Sequence, residues 1–312
     1  MTKSVCTLIG APVDSGKARN GCLMGPDSYR VAGLKSTLET LGHTVSDVGN
    51  MAPQPVQQQS FKAKNPALID LAENIGWVSS LSQAAERAMS DSVPIFLGGD
   101  HFLSAGTVTG VAAHAAKVKR PLFVLWLDAH TDYHTAETTK SGNLHGTPVG
   151  YFTGREGFVD FPTVSHPVPE ENVCLIGIRS VDEAENEALQ NSKMHVVDMR
   201  MIDEDGLRTP LMAFLARVKA ANGLLHVSLD VDFLDPSIAP AVGTTVPGGA
   251  TMREAHLAME ILHDSGLVTS LDLVELNPFL DERGRTASLM VDLTASLFGR
   301  RVFDRPTRSF EL

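Results

Sequence analysis

The stretch Pro121-Leu-Phe-Val-Leu-Trp-Leu-Asp-Ala-His-Thr-Asp132 opens with an apolar run of strand length and closes on two carboxylates and an imidazole. An unbroken apolar run of this length is the mark of a parallel strand buried on both faces. In an extended backbone, alternate side chains point the same way. Asp128, His130 and Asp132 are therefore expected side by side at the mouth of the strand, where their charges need a shared cation. The design recurs twice. Leu224-Leu-His-Val-Ser-Leu229 runs into Asp230-Val231-Asp232, and Val93-Pro-Ile-Phe-Leu97 runs into Gly98-Gly99-Asp100-His101. Open parallel sheets place their sites at the carboxyl ends of their strands, so these residues predict a metal site. The four carboxylates balance two divalent cations, with His101 and His130 as neutral ligands. The set is rich in oxygen and free of cysteine, which suits Mn2+ better than a structural zinc. Two such ions roughly 3.5–4 Å apart acidify a shared water, which makes a metal-bridging hydroxide the expected nucleophile.

Outward from these runs, strand patterns recur at Val5–Gly10, His43–Val48, Val173–Ile178, His195–Val197 and Ser270–Glu275, with helical patterns between them. Such alternation predicts an α/β fold: a central, mostly parallel sheet of about eight strands covered by helices on both faces, a three-layer α/β/α arrangement. Thr251-Met-Arg-Glu254 has the spacing of a capping box, and the helix it opens should stop near Gly266. A second helix is expected from about Thr286 to Phe298. Loops are expected at Met51–Lys64 and Phe152–Glu171. No linker or repeat divides the chain, so residues 1–312 are read as one domain with a basic, aromatic tail from about 300 to 312, a candidate arm for subunit contact.

The 312 residues are 43% apolar and 20% charged, ample for a large core. No apolar run approaches the ~18 residues of a membrane span, and no signal-peptide pattern opens the chain. The expected location is the cytoplasm. Cys6, Cys22 and Cys174 show neither a disulfide framework nor a metal-binding spacing. A formal net charge of −11 speaks against nucleic acid as a partner. Gly10-Ala-Pro-Val-Asp-Ser-Gly-Lys17 invites a phosphate-loop reading but has five residues between its glycines and Ala18 in place of the hydroxyl residue that would bind Mg2+. Those glycines are expected to shape the turn after the first strand.

Gly-Gly-Asp-His at 98–101, Asp-Ala-His-Thr-Asp at 128–132 and Ser-Leu-Asp-Val-Asp-Phe-Leu-Asp-Pro at 228–236 resemble the three signature segments of the ureohydrolases, the arginase–agmatinase family. The resemblance runs from about Ser4 to Phe303. It implies hydrolysis of a guanidinium group to urea at a centre of two Mn2+ per subunit. His101, Asp128, Asp132 and Asp230 would hold one ion. Asp128, His130, Asp230 and Asp232 would hold the other, with Asp128 and Asp230 bridging. Asp100 would support the ligands from behind. The family resemblance also suggests a homo-oligomer, a trimer or hexamer.

Within the family, Thr139-Lys-Ser-Gly-Asn-Leu-His-Gly146 resembles the arginase form of the substrate loop. Arginine carries an α-carboxylate that agmatine lacks, and Thr139, Ser141 and Asn143 are polar donors for it. His145 is implied as the catalytic proton shuttle, since imidazole titrates in the right range. Gly177-Ile-Arg-Ser-Val-Asp-Glu-Ala-Glu185 resembles the loop that receives the α-amino group, directly at Asp182 and through water at Glu185. Glu275, at another strand end, would face the planar guanidinium, a good match for a carboxylate. His134 departs from the pattern: Asn usually stands there and helps to hold the carboxylate, for which His also has a donor. The expected reaction is hydrolysis of L-arginine to L-ornithine and urea. The alternatives are a relative acting on agmatine or a guanidino acid, a dinuclear phosphoesterase, and a non-catalytic regulator on the same fold. The Thr139–Gly146 loop argues against the first. The lack of a Gly-Asn-His-Asp/Glu run argues against the second, and the intact ligand set together with His145 and Glu275 against the third.

Overall fold

A computed structural model describes residues 3–16, 19–56 and 61–301. The basic tail beyond Arg301, expected as a contact arm, lies outside the described residues. Eight strands form a single sheet: β1 (Val5–Ala11), β2 (Thr44–Asn50), β3 (Val93–Gly98), β4 (Leu122–Leu127), β5 (Val173–Ile178), β6 (His195–Asp198), β7 (Leu224–Asp230) and β8 (Val268–Val274). Their order is β2-β1-β3-β8-β7-β4-β5-β6, and every pairing is parallel.

This order positions the site. The last two strands of the chain, β7 and β8, insert between β3 and β4. The four central strands therefore end side by side, and they carry the segments that follow Gly98, Val274, Asp230 and Leu127. Register keeps those ends level: Leu97 pairs with Leu273, Asp230 with Val274, and Leu127 with Leu229.

The sheet is covered on both faces. Leu8, Leu97, Leu125, Leu127, Leu229 and Leu271 point into one core, with side chains of the helices Arg208–Ala220, Met252–Ser265 and Arg285–Leu297. Ile9, Phe96, Val124, Trp126 and Leu175 point into the other, with side chains of Leu71–Ala88 and Leu103–Lys117. The alternation is the period of two of a strand, and each fully buried leucine or phenylalanine contributes about 1.5–3 kcal/mol. Thr251 caps its helix reciprocally with Glu254, and Gly266 closes it at φ 63°. The helix expected near Thr286 begins one residue earlier, at Arg285. Among the described residues no helix is long and apolar enough to cross a membrane.

Two strand ends differ from expectation. β4 stops at Leu127, and the chain turns so sharply that Asp132 takes φ 47°. β8 stops at Val274, and Glu275 takes φ 65° while its N–H donates to the Gly99 carbonyl at 2.8 Å. The side chains after β4 and β8 thus reach the site through left-handed turns, not through continued strand alternation. Non-glycine residues in that region are strained and cluster at functional sites.

Candidate metal centre

Asp128, Asp230 and Asp232, at the ends of β4 and β7, share one construction. In each, one carboxylate oxygen accepts from a backbone N–H. His130 N donates to Asp128 Oδ1 at 2.6 Å, Asp232 N to Asp230 Oδ1 at 2.7 Å, and Ala129 N to Asp232 Oδ1 at 3.0 Å. The turn fixes the carboxylate plane and leaves the second oxygen facing an imidazole. His101 Nδ1 lies 3.0 Å from Asp128 Oδ2, 2.9 Å from Asp230 Oδ2 and 3.2 Å from Asp132 Oδ2. His130 Nδ1 lies 3.1 Å from Asp232 Oδ2 and 3.5 Å from Asp128 Oδ1. Two groups with the spacing of metal ligands result, His101–Asp128–Asp230 and Asp128–His130–Asp232, and Asp128 belongs to both.

A cation fits this arrangement. His101 Nε2 lies 2.8 Å from Ser228 Oγ. A proton on Nε2 donated to that hydroxyl leaves Nδ1 with a lone pair directed at three carboxylate oxygens. Nδ1 and Asp128 Oδ2 are buried and make no hydrogen bond, a repulsive contact unless a positive charge lies between them. With no metal ion, a proton on His101 Nδ1 takes its place: burial opposes the charged ring, but Asp128 and Asp230 outweigh it and hold His101 well above the usual imidazole range. Burial raises Asp132, Asp230 and Asp232 above the usual carboxylate range, and the neighbouring Asp128 charge raises each further. Burial disfavours charge on Asp128 too, but His101 and His130 outweigh it and hold this carboxyl well below the usual range. Burial likewise opposes protonation of His130, yet Asp232 and Asp128 push it up to about 12. The cluster takes up positive charge in whatever form is offered, and a divalent ion satisfies it with correct ligand chemistry.

The ligands are braced from behind. Trp126 stacks on the His101 ring with centroids 3.9 Å apart and planes 2° from parallel. Ser104 Oγ and Thr107 Oγ1 donate to the fully buried Asp272 at 2.7 and 2.6 Å. Asp100, expected as support, accepts from Gly16 N through Oδ2 at 2.7 Å and from Phe102 N through Oδ1 at 3.0 Å. A Cβ on Gly16 would come within 2.6 Å of that carboxylate, so the close approach requires glycine. The Gly16 carbonyl in turn accepts from His145 N at 2.9 Å. The first glycine-containing turn thus seats His145.

Beside the cluster, Glu275 is 1% exposed. Its Oε1 accepts from His101 N at 2.8 Å and lies 3.1 Å from His145 Nδ1. A cleft of ≈ 200 Å³ opens over the aspartates, with His130, His134, His145, Asp182, Glu185 and Thr244 among its walls. Asp182 caps the helix Glu183–Gln190, its Oδ1 accepting from Ala184 N and Glu185 N. Burial raises the Asp182 carboxyl, but the Glu185 N–H and His134 outweigh it and hold it below its ordinary value. Glu185 Oε1 accepts from Thr131 Oγ1 at 2.6 Å and Tyr133 N at 3.0 Å, which ties this helix to the turn after β4. His134, Asp182 and Glu185 form a third group at the cleft mouth.

Thr139, Ser141 and Asn143 are placed differently. They are not among the residues that line this cleft, and neither is the buried Glu275, which contacts the lining residues His101 and His145. Thr139 Oγ1 lies 3.3 Å from Ser141 Oγ, which accepts from Asn143 N at 3.2 Å. Four contributors were not singled out from sequence. Ser228 lies on the buried face of β7 and Thr244 in the long loop 235–250, where its hydroxyl donates to Asp232 Oδ2 at 3.2 Å. Asp272, a charged residue inside an apolar strand, was a legible signal. Trp126 reads as a packing residue and is also the platform for His101.

Comparison with known proteins agrees with this geometry. The arginase family model matches residues 4–299. An arginase of Brucella melitensis is 62% identical over 306 residues, covering 98% of this chain and 99% of its own. That of Bacillus subtilis is 39% identical over 305 residues, covering 97% of this chain and 100% of its own. Among solved structures, arginase from Bacillus cereus superposes with a TM-score of 0.87 at 37% identity, covering 96% of this chain and 100% of its own. Entamoeba histolytica arginase in complex with L-ornithine gives 0.83 at 25% identity over 96% of this chain and 100% of its own.

Proposed function

Because the chain belongs to the arginase family, we propose that it hydrolyses L-arginine to L-ornithine and urea with two manganese ions per subunit. It is a hydrolase acting on arginine. The observation that carries the finer reading is the pair of buried His/Asp groups sharing Asp128, with Glu275 and His145 beside them. His101, Asp128, Asp132 and Asp230 would hold one ion, and Asp128, His130, Asp230 and Asp232 the other. When bound, the ions acidify a shared water and stabilise negative charge that develops on the substrate.

The chain's own residues do the rest. The buried Glu275 carboxylate faces the guanidinium and orients it, a planar cation against a planar anion. Its fixed position, through His101 N and the left-handed turn at 275, keeps the guanidinium carbon over the aspartate cluster. His145 lies at the partly exposed edge of the cleft, where its imidazole can take a proton from solvent and deliver it to the departing ornithine amine. Asp182 receives the α-ammonium group at the mouth, and Glu185 supports it through water. Thr139, Ser141 and Asn143 stand outside the cleft lining, on the loop that leads into His145, and would supply donors toward the α-carboxylate from that loop.

The oxygen-rich, thiol-free ligand set supports manganese. Three cysteines, all buried and none of them in a disulfide, support a reducing compartment such as the cytoplasm. The family resemblance supports a homo-oligomer. Urea release by manganese-loaded protein, compared across L-arginine, agmatine and 4-guanidinobutyrate, tests the substrate. Turnover confined to L-arginine is the expected outcome. Turnover of agmatine or 4-guanidinobutyrate in its place would keep the metal chemistry and overturn the substrate.

A further inference from the structure

His134 stands in the loop after β4 and reaches across the cleft mouth to the segment after β5. Its Nε2 lies 2.6 Å from Asp182 Oδ2, and its Nδ1 lies 3.1 Å from Thr138 Oγ1. The Thr138 hydroxyl oxygen already accepts from Thr135 N at 2.9 Å, so its own proton is available to His134 Nδ1. With Nδ1 accepting, the ring proton sits on Nε2 and is donated to Asp182. The outer partner sets the tautomer, as second-layer hydrogen bonds do for other histidines. Both ring nitrogens are then engaged, and His134 has no polar atom left for a substrate carboxylate.

Asp182 needs such a partner. Its Oδ1 is held by two backbone N–H groups of the helix start. Its side chain is 52% exposed, whereas that of His134 is 13% exposed. Without His134, the Oδ2 end of this carboxylate has water as its neighbour and more than one orientation available. With it, the carboxylate plane is fixed while Oδ2 keeps a second lone pair for an incoming ammonium group.

We propose that His134 is a positioning residue that holds Asp182 in the orientation that receives the substrate's α-amino group, rather than an anchor for the α-carboxylate. The relay Thr138–His134–Asp182 makes the amino end of the substrate the end that this residue reads. The inference rests on the reading of the site as one for L-arginine and adds to it which half of the amino-acid end His134 serves.

Two analogues separate the roles. Agmatine keeps the terminal amine and lacks the carboxylate; 5-guanidinopentanoate keeps the carboxylate and lacks the amine. With manganese-loaded protein, His134→Ala is expected to raise KM for L-arginine and the inhibition constant of agmatine together, by about tenfold, the equivalent of about 1.4 kcal/mol. The inhibition constant of 5-guanidinopentanoate stays at the wild-type value, and KM rises by more than kcat falls. His134→Gln places an amide N–H where Nε2 was and restores agmatine affinity; His134→Asn, too short to reach Asp182, does not. Weakening of L-arginine and 5-guanidinopentanoate with agmatine unchanged would show a direct carboxylate anchor and overturn the proposal. Equal weakening of all three, or no change in any, would overturn it as well. If the wild-type protein releases no urea from L-arginine, the functional reading falls and this inference with it. Turnover of L-arginine with the opposite inhibition pattern removes the inference alone.

Discussion

His145 Nδ1 lies 3.1 Å from Glu275 Oε1, and the two side chains are 130 residues apart in the sequence. The pairing couples the group that would orient the guanidinium to the group that would protonate the leaving amine. General acid catalysis of this kind contributes about 10²–10⁴-fold. His145→Ala should therefore lower kcat by roughly 100-fold or more while leaving metal content intact, since His145 belongs to neither ligand group. Urea assays beside elemental analysis of the same samples check this. Parallel loss of manganese would reassign His145 to the metal centre.

Asp128 belongs to both ligand groups, and Asp232 to one. Asp128→Ala or Asp232→Ala should abolish metal-dependent turnover, and full activity in a chelated wild-type sample would sink the mechanism. A second readout concerns stability. Burial and the Asp128 charge raise Asp232 above the usual carboxylate range even with His130 beside it, so near pH 8 its ionised form opposes folding when no metal ion is present. Asp232→Asn removes that charge and keeps an oxygen for the Ala129 N–H. Without metal, the variant should melt at or above the wild-type temperature. On adding manganese, the wild type should gain about 2.7 kcal/mol at a hundredfold excess over Kd, and the variant much less. Melting curves with chelator and with manganese decide it; a variant that is less stable without metal and equally stabilised by it would refute the electrostatic account.

Much of this was legible in the chain. The central strands follow from apolar runs such as Leu122–Leu127, whose burial on both faces announces a parallel sheet, whereas the largely exposed edge strands β2 and β6 carry a weaker signal. His101, Asp128, Asp132 and Asp230 do converge, as do His130 and Asp232 with Asp128. The route to that convergence was not legible. Strand alternation suggests a row of side chains, whereas Asp132 and Glu275 arrive through left-handed turns that nothing in their residue types signals. Nor does local sequence reveal that β7 and β8 insert between β3 and β4, because sheet order depends on contacts far apart in the chain. The partner of His134 was hidden for the same reason: Asp182 is 48 residues away on another strand's loop.

Ser228 stands between Val227 and Leu229 on β7, and its hydroxyl lies 2.8 Å from His101 Nε2. It fixes which imidazole nitrogen faces the aspartates. Partners of this kind are worth about 10–100-fold in metal affinity. Ser228→Ala should weaken manganese binding by roughly that factor, with little change in kcat once the protein is saturated. Titration calorimetry on chelated protein measures it. Unchanged affinity would mean that Trp126 stacking alone orients the ring.

Asp235 organises the loop that brings Thr244 to Asp232. Its Oδ2 accepts from Gly248 N and Gly249 N at 2.8 and 3.2 Å, and its Oδ1 from Ser237 N at 2.9 Å. Hydrogen bonds from Ser237 and the two glycine N–H groups outweigh burial and lower this carboxyl to about 2. A depressed carboxyl stabilises the fold in its ionised form. Its contribution is complete above the unfolded value of about 3.9 and is lost as pH falls toward about 2. Asp235→Ala should cost about 1–2 kcal/mol near pH 7, and the gap between variant and wild type should close as pH drops below about 4. Because the loop carries Thr244, the variant should also bind manganese more weakly. Chemical denaturation at a series of pH values, with chelator present, isolates the folding effect. A stability gap that stays constant from pH ~4 down to pH ~2.5, across most of the window between the unfolded and folded values in which the contribution of the ionised form is lost, would show that the loop is held by its backbone contacts and not by the Asp235 charge.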